Sequence, residues 1–570
     1  MLSIAPTPET LLGRFGLQSF RPGQREAILA ALEGRDSLVV MPTGAGKSLC
    51  YQLPALSGQG LVVVVSPLIA LMADQWRSLR GGGVHASMLA SGLHEGHNDQ
   101  ALRDIAAGRC QLVLVSPERF ISQSFKQALA KRRIGLFVVD EAHCVAEWGH
   151  DFRPDYLRLY GVIGELHRPP IMALTATATP RVAKEIALRL GLRDWIQVSC
   201  GFDRPNLSFD VMNIRGRGIG AQKRSALLQA LSDQRSLPAI VYCGTRNDTD
   251  RVAGLIAKQG IATVAYHAGM DPQARRSSQD AFMEGRAQVV AATNAFGMGV
   301  DKADVRSVVH WAVPKSLEAY YQEVGRAGRD GQPAKALLLA ARIDLGRLIR
   351  INKARPTNIT HIERYLAELA REARGGGIQY EPTRDAERML LSIAERSGAV
   401  KVGSTSSGRM YLTLTGRLDI EAADWAIKSA RDQGWEAYRA IEQFISSNEC
   451  RRRQILDFFG DPRPTMPIVR CCDVCAAPAR VQITPARAQI APAVDAGELE
   501  ILKQWRSQQA GSKPAYIVAT NAVLEEILRR RPQDLQALLE INGVGKNFCE
   551  LYGRSLLELL GRSGPAQPQR

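Results

Sequence analysis

The stretch Met41–Ser48, which has the sequence Met-Pro-Thr-Gly-Ala-Gly-Lys-Ser, constrains the fold of this chain more than any other. It follows a short apolar run, Ser37–Met41, that predicts a buried strand, and helical spacing resumes after it. A strand, a glycine turn and a helix start together form a phosphate cradle, because backbone N–H groups and the positive helix end face the anion. Lys47 would then reach the β- and γ-phosphates, and the Ser48 hydroxyl would hold Mg²⁺. Met41 stands where the full pattern has glycine, so an ordinary glycine turn before a helix is the alternative.

A second segment, Ile134–His143, supports the phosphate-binding interpretation. Its apolar strand ends in Asp140, the position from which the Walker-B carboxylate of a P-loop NTPase holds Mg²⁺. Glu141 follows directly and is placed to polarise the water that attacks the γ-phosphate. Acidic pairs at strand ends are often caps or solvated turns, but this pair lies downstream of a phosphate loop in a strand-rich chain. The two segments together predict a nucleoside triphosphate hydrolase.

The composition bounds the class of the protein and its partners. The chain has 570 residues, enough for roughly three or four domains of ~150 residues each. Lysine and arginine outnumber aspartate and glutamate by 73 to 57, and the net charge of +16 favours a polyanionic partner. Apolar runs such as Leu61–Val65 are far shorter than the ~20 residues that span a bilayer. No basic flank with an apolar stretch opens the chain, so we expect no signal peptide, no membrane partner and a cytoplasmic location.

Alternation of apolar strands with amphipathic segments predicts two tandem parallel-sheet domains, in residues 1–200 and 201–350. Because the first half alone has a phosphate loop, we expect the nucleotide to lie between the halves and the second half to contribute cations. Arg326 and Arg329, on the glycine-punctuated turn of Tyr321–Gly331, are candidates for arginine fingers, and a solvated basic turn is the alternative. The predicted strands are 37–41, 61–65, 112–115, 136–139, 171–174, 239–242, 263–266, 288–291, 307–310 and 336–339.

Eight short motifs follow one another along these two halves. They are Phe15-Gly16, Phe20–Gln24, Met41–Ser48, Asp140–His143, Trp148–Pro154, Thr175–Thr177, Thr293–Gly299 and Gln322–Gly331. In this order they resemble the motifs of RecQ-type DNA helicases of superfamily 2. The resemblance implies two RecA-like domains and an ATP-dependent enzyme that translocates 3′ to 5′ on single-stranded DNA. It also implies unwinding of duplex DNA in repair and recombination, and a place at the nucleoid of a bacterial cytoplasm.

The resemblance implies roles for residues around the nucleotide. Arg21 and Gln24 would contact the adenine and so favour ATP. His143 and Thr175–Thr177 would couple hydrolysis to movement of the two lobes. The full set expected at ATP and Mg²⁺ is Arg21, Gln24, Thr43, Gly44, Ala45, Gly46, Lys47, Ser48, Asp140, Glu141, His143, Arg326 and Arg329.

A second implied site couples DNA to the ATP site. Trp148, Phe152 and Arg153 match the family's aromatic-rich loop, which links bound single-stranded DNA to hydrolysis. The chemistry agrees, because aromatic rings stack on bases of any sequence and arginine adds charge. A buried Trp–Phe pair beside a surface arginine is the alternative.

Residues 351–480 are predicted to connect these halves to the C-terminal region. A helix over Asp385–Arg396, followed by a hairpin, resembles part of a winged-helix unit, and a plain structural hairpin is the alternative. A further helix begins near Cys450, and Arg451–Arg453 within it are candidates for phosphate contacts.

Four cysteines, Cys450, Cys471, Cys472 and Cys475, cluster near the end of this connector. Clustered cysteines that end in Cys-x₂-Cys predict structural Zn²⁺ in a cytosolic protein, where a disulfide is disfavoured. The family usually separates its second and third cysteines, whereas Cys471 and Cys472 are adjacent here. Since adjacent ligands strain a tetrahedral site, we expect Cys471 to be the weakest ligand and Cys471→Ser to be the mildest substitution.

The C-terminal region begins with a linker, residues 481–496, that is rich in Ala, Pro and Arg. Residues 497–562 are predicted to be helical and resemble the family's all-α HRDC domain, followed by a tail over 563–570. The turn Gly543–Lys546 either contacts a DNA backbone or is only a turn between helices. No room remains for the long winged-helix domain that other members carry after the cysteines.

Two other functions deserve comparison with a DNA helicase. An RNA-directed motor would share the ATPase chemistry, and stimulation by DNA or by RNA would distinguish the two. A nucleic-acid-binding scaffold with an inactive motor would be expected to lack Lys47, Asp140 or Glu141, and all three are present.

Overall fold

The computed structural model describes residues 7–15, 17–81, 84–90, 95–146, 154–297, 302–353, 358–373, 377–380, 385–404, 410–475, 495–510, 518–519, 521–541, 544–545 and 548–562. These residues form two compact units, Met1–Ala477 and Pro478–Arg570. Within the described ranges, no helix has the length and apolarity that a bilayer crossing requires.

The first lobe contains a seven-stranded sheet with parallel pairings throughout. Its strands are β1 (Ser37–Val40), β2 (Leu61–Val65), β3 (Ala86–Leu89), β4 (Leu112–Val115), β5 (Ile134–Val139), β6 (Ile171–Thr175) and β7 (Ile196–Ser199). They stand in the order β3-β4-β2-β5-β6-β1-β7. Central strands such as β2 are buried along their whole length, since parallel sheets are covered on both faces.

The helices of the first lobe cover both faces of this sheet. They are α1 (Pro8–Gly13), α2 (Gln24–Leu32), α3 (Leu49–Ala55), α4 (Ile69–Gly81), α5 (Glu95–Ala106), α6 (Gln123–Ala130), α7 (Leu159–Glu165) and α8 (Pro180–Leu190). Short 3₁₀ turns occupy Pro117–Ile121, Ala142–Val145 and Pro154–Arg158. Local sequence fixes several ends: α8 begins where Thr179 caps the N–H of Val182, and it ends at Gly191 with a φ of +65°.

The second lobe repeats this architecture with a six-stranded parallel sheet. The strands, in the order β10-β11-β9-β12-β13-β8, are β8 (Leu207–Ile214), β9 (Ala239–Tyr242), β10 (Thr263–Tyr266), β11 (Val289–Ala292), β12 (Ser307–His310) and β13 (Ala334–Ala341). Its helices are α9 (Ile219–Leu231), α10 (Arg246–Ala257), α11 (Pro272–Met283), α12 (Leu317–Val324) and α13 (Arg342–Lys353), with a short turn at Gln234–Ser236. The predicted pair of parallel-sheet domains is therefore confirmed.

The connector follows α13 and consists of two parts. The first comprises α14 (Ile359–Ala373), β14 (Ile378–Gln379), α15 (Asp385–Arg396), β15 (Val400–Ser404) and β16 (Met410–Leu414). Its strands form an antiparallel sheet in the order β14-β16-β15, so the predicted hairpin is part of a three-stranded sheet. The second part comprises the long helix α16 (Ile420–Ser446) and α17 (Arg451–Phe458), which leads to the cysteines.

The arginines at the start of α17 attach the connector to the second lobe. Arg452 is 1% exposed, bonds to Asp203 and to the carbonyl oxygens of Arg204 and Leu207, and lies over the ring of Phe209. The nearby Arg451 guanidinium binds both carboxylate oxygens of Asp473, with Nη2 3.0 Å from Oδ2. The prediction that these two residues contact phosphate is wrong, because their side chains are buried in intramolecular ion pairs.

The C-terminal unit is helical, as expected for an HRDC region. It comprises α18 (Ala496–Ala510), α19 (Asn521–Arg530), α20 (Leu535–Leu539), a π-helical turn at Cys549–Gly553 and α21 (Arg554–Arg562). Its own apolar core includes Leu502, Leu524, Ile527, Leu538 and Leu556.

Substitution of Arg452 tests this anchoring. We expect Arg452→Ala to lower the free energy of unfolding by about 3 kcal/mol, because it leaves Asp203 without its buried partner. Asp457→Ala is the control, since Asp457 lies in the same helix, its side chain is 66% exposed and it pairs with Arg453 within one turn. Urea denaturation should show a clear loss for the first variant and a change below about 1 kcal/mol for the second. Equal losses would contradict the anchoring role.

Candidate ATP site and cysteine cluster

The phosphate loop lies between the end of β1 and the start of α3. Gly44 and Gly46 adopt φ angles of +84° and +80°, and a Cβ at Gly46 would lie 2.5 Å from Gln24 Nε2. Glycine is therefore required at Gly46 for both conformation and space. The Lys47 ammonium donates a hydrogen bond to the Met41 carbonyl at 3.0 Å, so its charge lies inside the loop.

Two residues predicted to contact adenine hold the loop in place. Gln24 Nε2 donates to the carbonyl oxygens of Ala45 (3.2 Å) and Gly46 (3.0 Å). Gln24 Oε1 accepts from the backbone N–H of Arg21 at 2.8 Å, and the Arg21 guanidinium donates to the Gly44 carbonyl. These bonds tie the segment before α2 to the phosphate loop, while the adenine contact stays a prediction.

The acidic pair follows β5, the strand beside β2 and β6. Asp140 Oδ1 accepts from the backbone N–H of Glu141 at 3.0 Å, and Ser66 Oγ lies 3.4 Å from Asp140 Oδ2. Burial raises the pKa of Asp140 to about 7, the charge of Glu141 adds to this shift, and Lys47 opposes it. Burial also lowers the pKa of Lys47, against the attraction of the two carboxylates. Glu141 has a φ of +48°, a sparsely populated conformation that is found at functional sites.

A buried polar chain leads away from Glu141. His143 Nδ1 lies 3.4 Å from Glu141 Oε2 and 3.1 Å from Thr175 Oγ1. Thr175 Oγ1 in turn accepts from the backbone N–H of Thr177 at 3.1 Å. The candidate base is thus connected to the segment that precedes α8.

The second lobe completes the cavity, whose volume is about 370 Å³. The Thr43 hydroxyl donates to the Gly325 carbonyl at 3.1 Å, and a Cβ at Gly325 would lie 2.6 Å from that hydroxyl oxygen. Arg326 and Arg329 line the cavity together with residues of the first lobe. Those predicted from the sequence are Arg21, Thr43, Gly44, Gly46, Lys47, Ser48, Asp140 and Glu141.

Sequence reasoning missed the residues that hold the arginine turn. Arg204 donates to the carbonyl oxygens of Gly325 (3.1 Å) and Ala327 (2.8 Å). Asn206 Nδ2 donates to the Gly328 carbonyl at 2.8 Å. Both residues lie between the two sheets in a segment without a motif, so only their contacts reveal their role. Tyr51 and Gln75, which also line the cavity, were missed for the same reason.

A second cavity of about 470 Å³ lies at the carboxyl ends of the second lobe's strands. Its lining includes Thr245 and Arg246 at the start of α10, together with Asn294 and Lys315. Arg347 shapes one wall, since it donates to the carbonyl oxygens of Gly244 (2.9 Å) and Val313 (2.7 Å). Ligands of open α/β sheets bind at this edge, and Arg326 lines both cavities.

Several predicted residues lie outside the described part of the chain. They are the DNA-coupling residues Trp148, Phe152 and Arg153, the end of the motif Thr293–Gly299, and Gly543 and Lys546. The chain is described again from Pro154, and the hydroxyl of Tyr156 donates to the Asp140 carbonyl at 3.0 Å.

The four clustered cysteines converge on one point. Their sulfur atoms all lie within 4.8 Å of one another, and those of Cys450 and Cys471 are 3.6 Å apart. Zn–S bonds of about 2.3 Å place the sulfurs of a tetrahedral site about 3.8 Å apart, so the donor set fits zinc. The neighbouring backbone is held against β8, where the N–H of Phe209 donates to the Cys471 carbonyl at 3.1 Å. Adjacency of Cys471 and Cys472 does not keep either thiol out of the cluster.

Four family models match consecutive parts of the chain. They are DEAD/DEAH box helicase over residues 21–186, helicase conserved C-terminal domain over 222–331, RecQ zinc-binding over 417–476 and HRDC domain over 496–560. Among solved structures, the DUF1998 helicase MrfA bound to DNA is 18% identical, with a TM-score of 0.51 over 72% of this chain and 62% of that chain. That likeness concerns the fold alone.

Curated relatives are similar over nearly the whole chain. The ATP-dependent DNA helicase RecQ of Pasteurella multocida is 33% identical over 96% of this chain and 92% of its own length. The protein of the same name from Haemophilus influenzae is 32% identical over 97% of this chain and 75% of its own length. The probable ATP-dependent DNA helicase RecS of Bacillus subtilis is 35% identical over 82% of this chain and 91% of its own length. With the phosphate loop, the acidic pair and the cysteine cluster in place, the chain belongs to the RecQ family of ATP-dependent DNA helicases.

Proposed function

We propose that this helicase couples ATP hydrolysis between its lobes to 3′-to-5′ translocation on single-stranded DNA, and thereby unwinds duplex DNA in repair and recombination. The observation that carries the proposal is the shared cavity, which the phosphate loop and acidic pair line from one lobe and Arg326 and Arg329 from the other. Because both lobes contribute, binding and hydrolysis of ATP change the free energy of their association. The cell compartment that suits this activity is the bacterial cytoplasm, at the nucleoid.

The residues predicted to act on ATP have distinct proposed chemical roles. Lys47, Arg326 and Arg329 stabilise the negative charge that develops on the transferring phosphoryl group. Glu141 accepts a proton from the attacking water, and His143 keeps this carboxylate in contact with Thr175. Mg²⁺, held by Ser48 and Asp140, would neutralise phosphate charge when bound. The oxygen donors of these two side chains suit that ion, and both line the cavity.

The DNA strand is proposed to pass the cavity at the strand ends of the second lobe. Arg246 and Lys315 supply positive charge there, and the net charge of +16 favours a polyanion. Trp148, Phe152 and Arg153 would contact the strand from the first lobe. Stacking and charge together bind a single strand without regard to its sequence.

Lys47→Ala tests the motor. We expect ATP turnover with single-stranded DNA to fall at least about 100-fold, because a charge that stabilises the transferring phosphate is lost. The parent protein should unwind duplexes with a 3′ single-stranded tail and not those with a 5′ tail. The variant should unwind neither substrate. The melting temperature should stay near that of the parent, since the hydrogen bonds of Lys47 to the described residues, at the Met41 and Pro42 carbonyls, lie within the loop.

Parallel assays with RNA, and with forked and four-way DNA, define the substrate. Stimulation of ATP turnover by RNA alone would contradict the DNA assignment. Turnover near the parent rate in Lys47→Ala would contradict the phosphate-loop assignment.

Trp148→Ala tests the coupling of DNA to hydrolysis. One lost base stack weakens DNA binding by ~1–3 kcal/mol, so affinity should fall modestly. We expect turnover without DNA to stay near the parent value, while stimulation by single-stranded DNA is mostly lost. Steady-state ATPase assays with and without an oligonucleotide measure both. Equal losses of the two rates would indicate a core tryptophan.

We also propose that the four cysteines bind one structural Zn²⁺ per chain, with Cys471 as a full ligand. Support comes from the convergence of all four sulfurs and from the match to the RecQ zinc-binding model. A metal there would connect the start of α17 to the turn at Cys475, and its binding energy would contribute to folding.

Serine substitutions test the zinc site one ligand at a time. Cys450→Ser, Cys471→Ser, Cys472→Ser and Cys475→Ser should each reduce bound zinc and soluble yield to a similar degree. Cys200→Ser is the control, because Cys200 lies outside the cluster and its thiol bonds to the Pro22 carbonyl. Elemental analysis of purified protein should give one zinc per parent chain. A metal content near zero in active parent enzyme would exclude the site. A smaller loss of zinc and soluble yield in Cys471→Ser than in the other three variants would show that Cys471 is only an accessory ligand.

A further inference from the structure

A compact unit lies between two of the family matches, which end at residue 331 and resume at residue 417. The second lobe continues to the end of α13, and the remaining described parts of 358–414 form what we call the intervening unit. It consists of α14, α15 and the three-stranded sheet. Its own core is formed by Tyr365, Leu369, Leu391, Ala394, Val400 and Leu412.

The intervening unit is attached to α16, and α16 to the second lobe. Ile362 and Ile393 of the unit are buried against one face of α16. The N–H of Asp419, which caps α16, donates to the Ser397 carbonyl at 2.9 Å. Farther along α16, Asn352 of α13 donates to the Gly434 carbonyl at 2.9 Å. These contacts attach the unit to the second lobe through α16.

One side chain of the intervening unit forms an ion pair with the first lobe. Glu395, in the last turn of α15, binds Arg158 with both carboxylate oxygens, at 3.2 Å from Nε to Oε1 and 3.1 Å from Nη2 to Oε2. Nη1 of the same guanidinium donates to Asp155 Oδ1 at 2.9 Å. The Arg158 and Glu395 side chains are 21% and 26% exposed, so water screens the pair only partly.

Arg158 belongs to the turn Pro154–Arg158, which has a second connection. Tyr156, in the middle of this turn, is fully buried and donates to the backbone carbonyl of Asp140 at 3.0 Å. The same turn directly follows Trp148–Arg153 in the chain. The turn Pro154–Arg158 thus contacts Asp140 of the acidic pair and Glu395 of the intervening unit. Along the chain it adjoins Trp148–Arg153, the segment proposed to couple DNA to the ATP site.

We propose that Glu395 is a positioning residue through which the intervening unit couples the second lobe to the turn Pro154–Arg158. When the lobes move, the force on this turn acts on Asp140 through Tyr156 and on the adjoining segment through the chain. The inference rests on the proposed function, because it concerns how DNA stimulates hydrolysis. It adds to that function a contact made by Glu395, which lies outside the matched family ranges.

Glu395→Ala tests the contact, with Glu436→Ala as the matched control. Glu436 also lies on a helix of the connector and pairs with an arginine of the first lobe, Arg181, but by one contact of 3.3 Å with side chains 48% and 54% exposed. Alanine favours helices, so both variants should fold. We expect Glu395→Ala to reduce the stimulation of ATP turnover by single-stranded DNA about fivefold, the effect of a strong partly exposed ion pair. Turnover without DNA should change less than about twofold in both variants, and the control should keep its stimulation.

A double-mutant cycle separates coupling from general damage. Arg158→Ala should reduce stimulation at least as much as Glu395→Ala, since it also removes the bond to Asp155. The double variant should be no worse than Arg158→Ala, because both single changes remove the same contact between Arg158 and Glu395. Additive losses, equal losses of basal and stimulated turnover, or parent-like stimulation in Glu395→Ala would each overturn the inference. A parent protein that single-stranded DNA fails to stimulate would instead overturn the proposed function, and the inference with it.

Discussion

The structure depends on the balance of charge in the cavity between the lobes. Asp140 and Glu141 are adjacent carboxylates with little exposure to water, and burial raises the pKa of Asp140 while it lowers that of Lys47. Such groups are tolerated when opposite charges lie close and hydrogen bonds hold them. The arginines of the second lobe bring further positive charge to the same space. An anion with a divalent cation fits this arrangement, which is why the cavity suits a nucleoside triphosphate.

Hydrogen bonds connect the residues that line this cavity to neighbouring segments of both lobes. Gln24 holds the phosphate loop, and Arg204 and Asn206 hold the arginine turn. His143 and Tyr156 connect the acidic pair to two different segments of the first lobe. All of these bonds are buried or partly buried, and four of them end on backbone carbonyl oxygens. The residues around the nucleotide site are therefore tied to the backbone of the segments beside it.

A second group of buried charges attaches the connector to the second lobe. Arg452 pairs with Asp203 and Arg451 with Asp473, beside the cysteine cluster. These ion pairs fix the short segment in place, and zinc bound by the four cysteines would add its binding energy to folding. This region is fixed to the second lobe, and α16, which bonds to Asn352 of that lobe, carries the intervening unit on its other end. The intervening unit can therefore reach the first lobe at Arg158 as a coupling contact and not as part of the first lobe's fold.

The sequence by itself determined the parallel-sheet architecture, the phosphate loop, the acidic pair and the four cysteines. These features rest on local patterns: apolar runs for strands buried on both faces, and fixed spacing for groups that share one ligand. The strands missed from the sequence, β3, β7, β8 and β14, all lie at sheet edges. An edge strand has a neighbour on one side only and carries polar residues such as Ser87 and Asp210, so its periodicity is weak.

Only the tertiary structure decided the roles of charged residues outside the motifs. Arg452 and Arg246 are both arginines near a helix start, yet one is buried against Asp203 and the other is exposed at a cavity. The pairing of Arg158 with Glu395 joins residues 237 positions apart. For Cys471 the sequence predicted the weakest ligand of the four, and the structure brings its thiol into the cluster with the others, beside β8. A charge or a thiol acquires its function from the groups that folding brings to it, and sequence spacing carries no information about such distant partners.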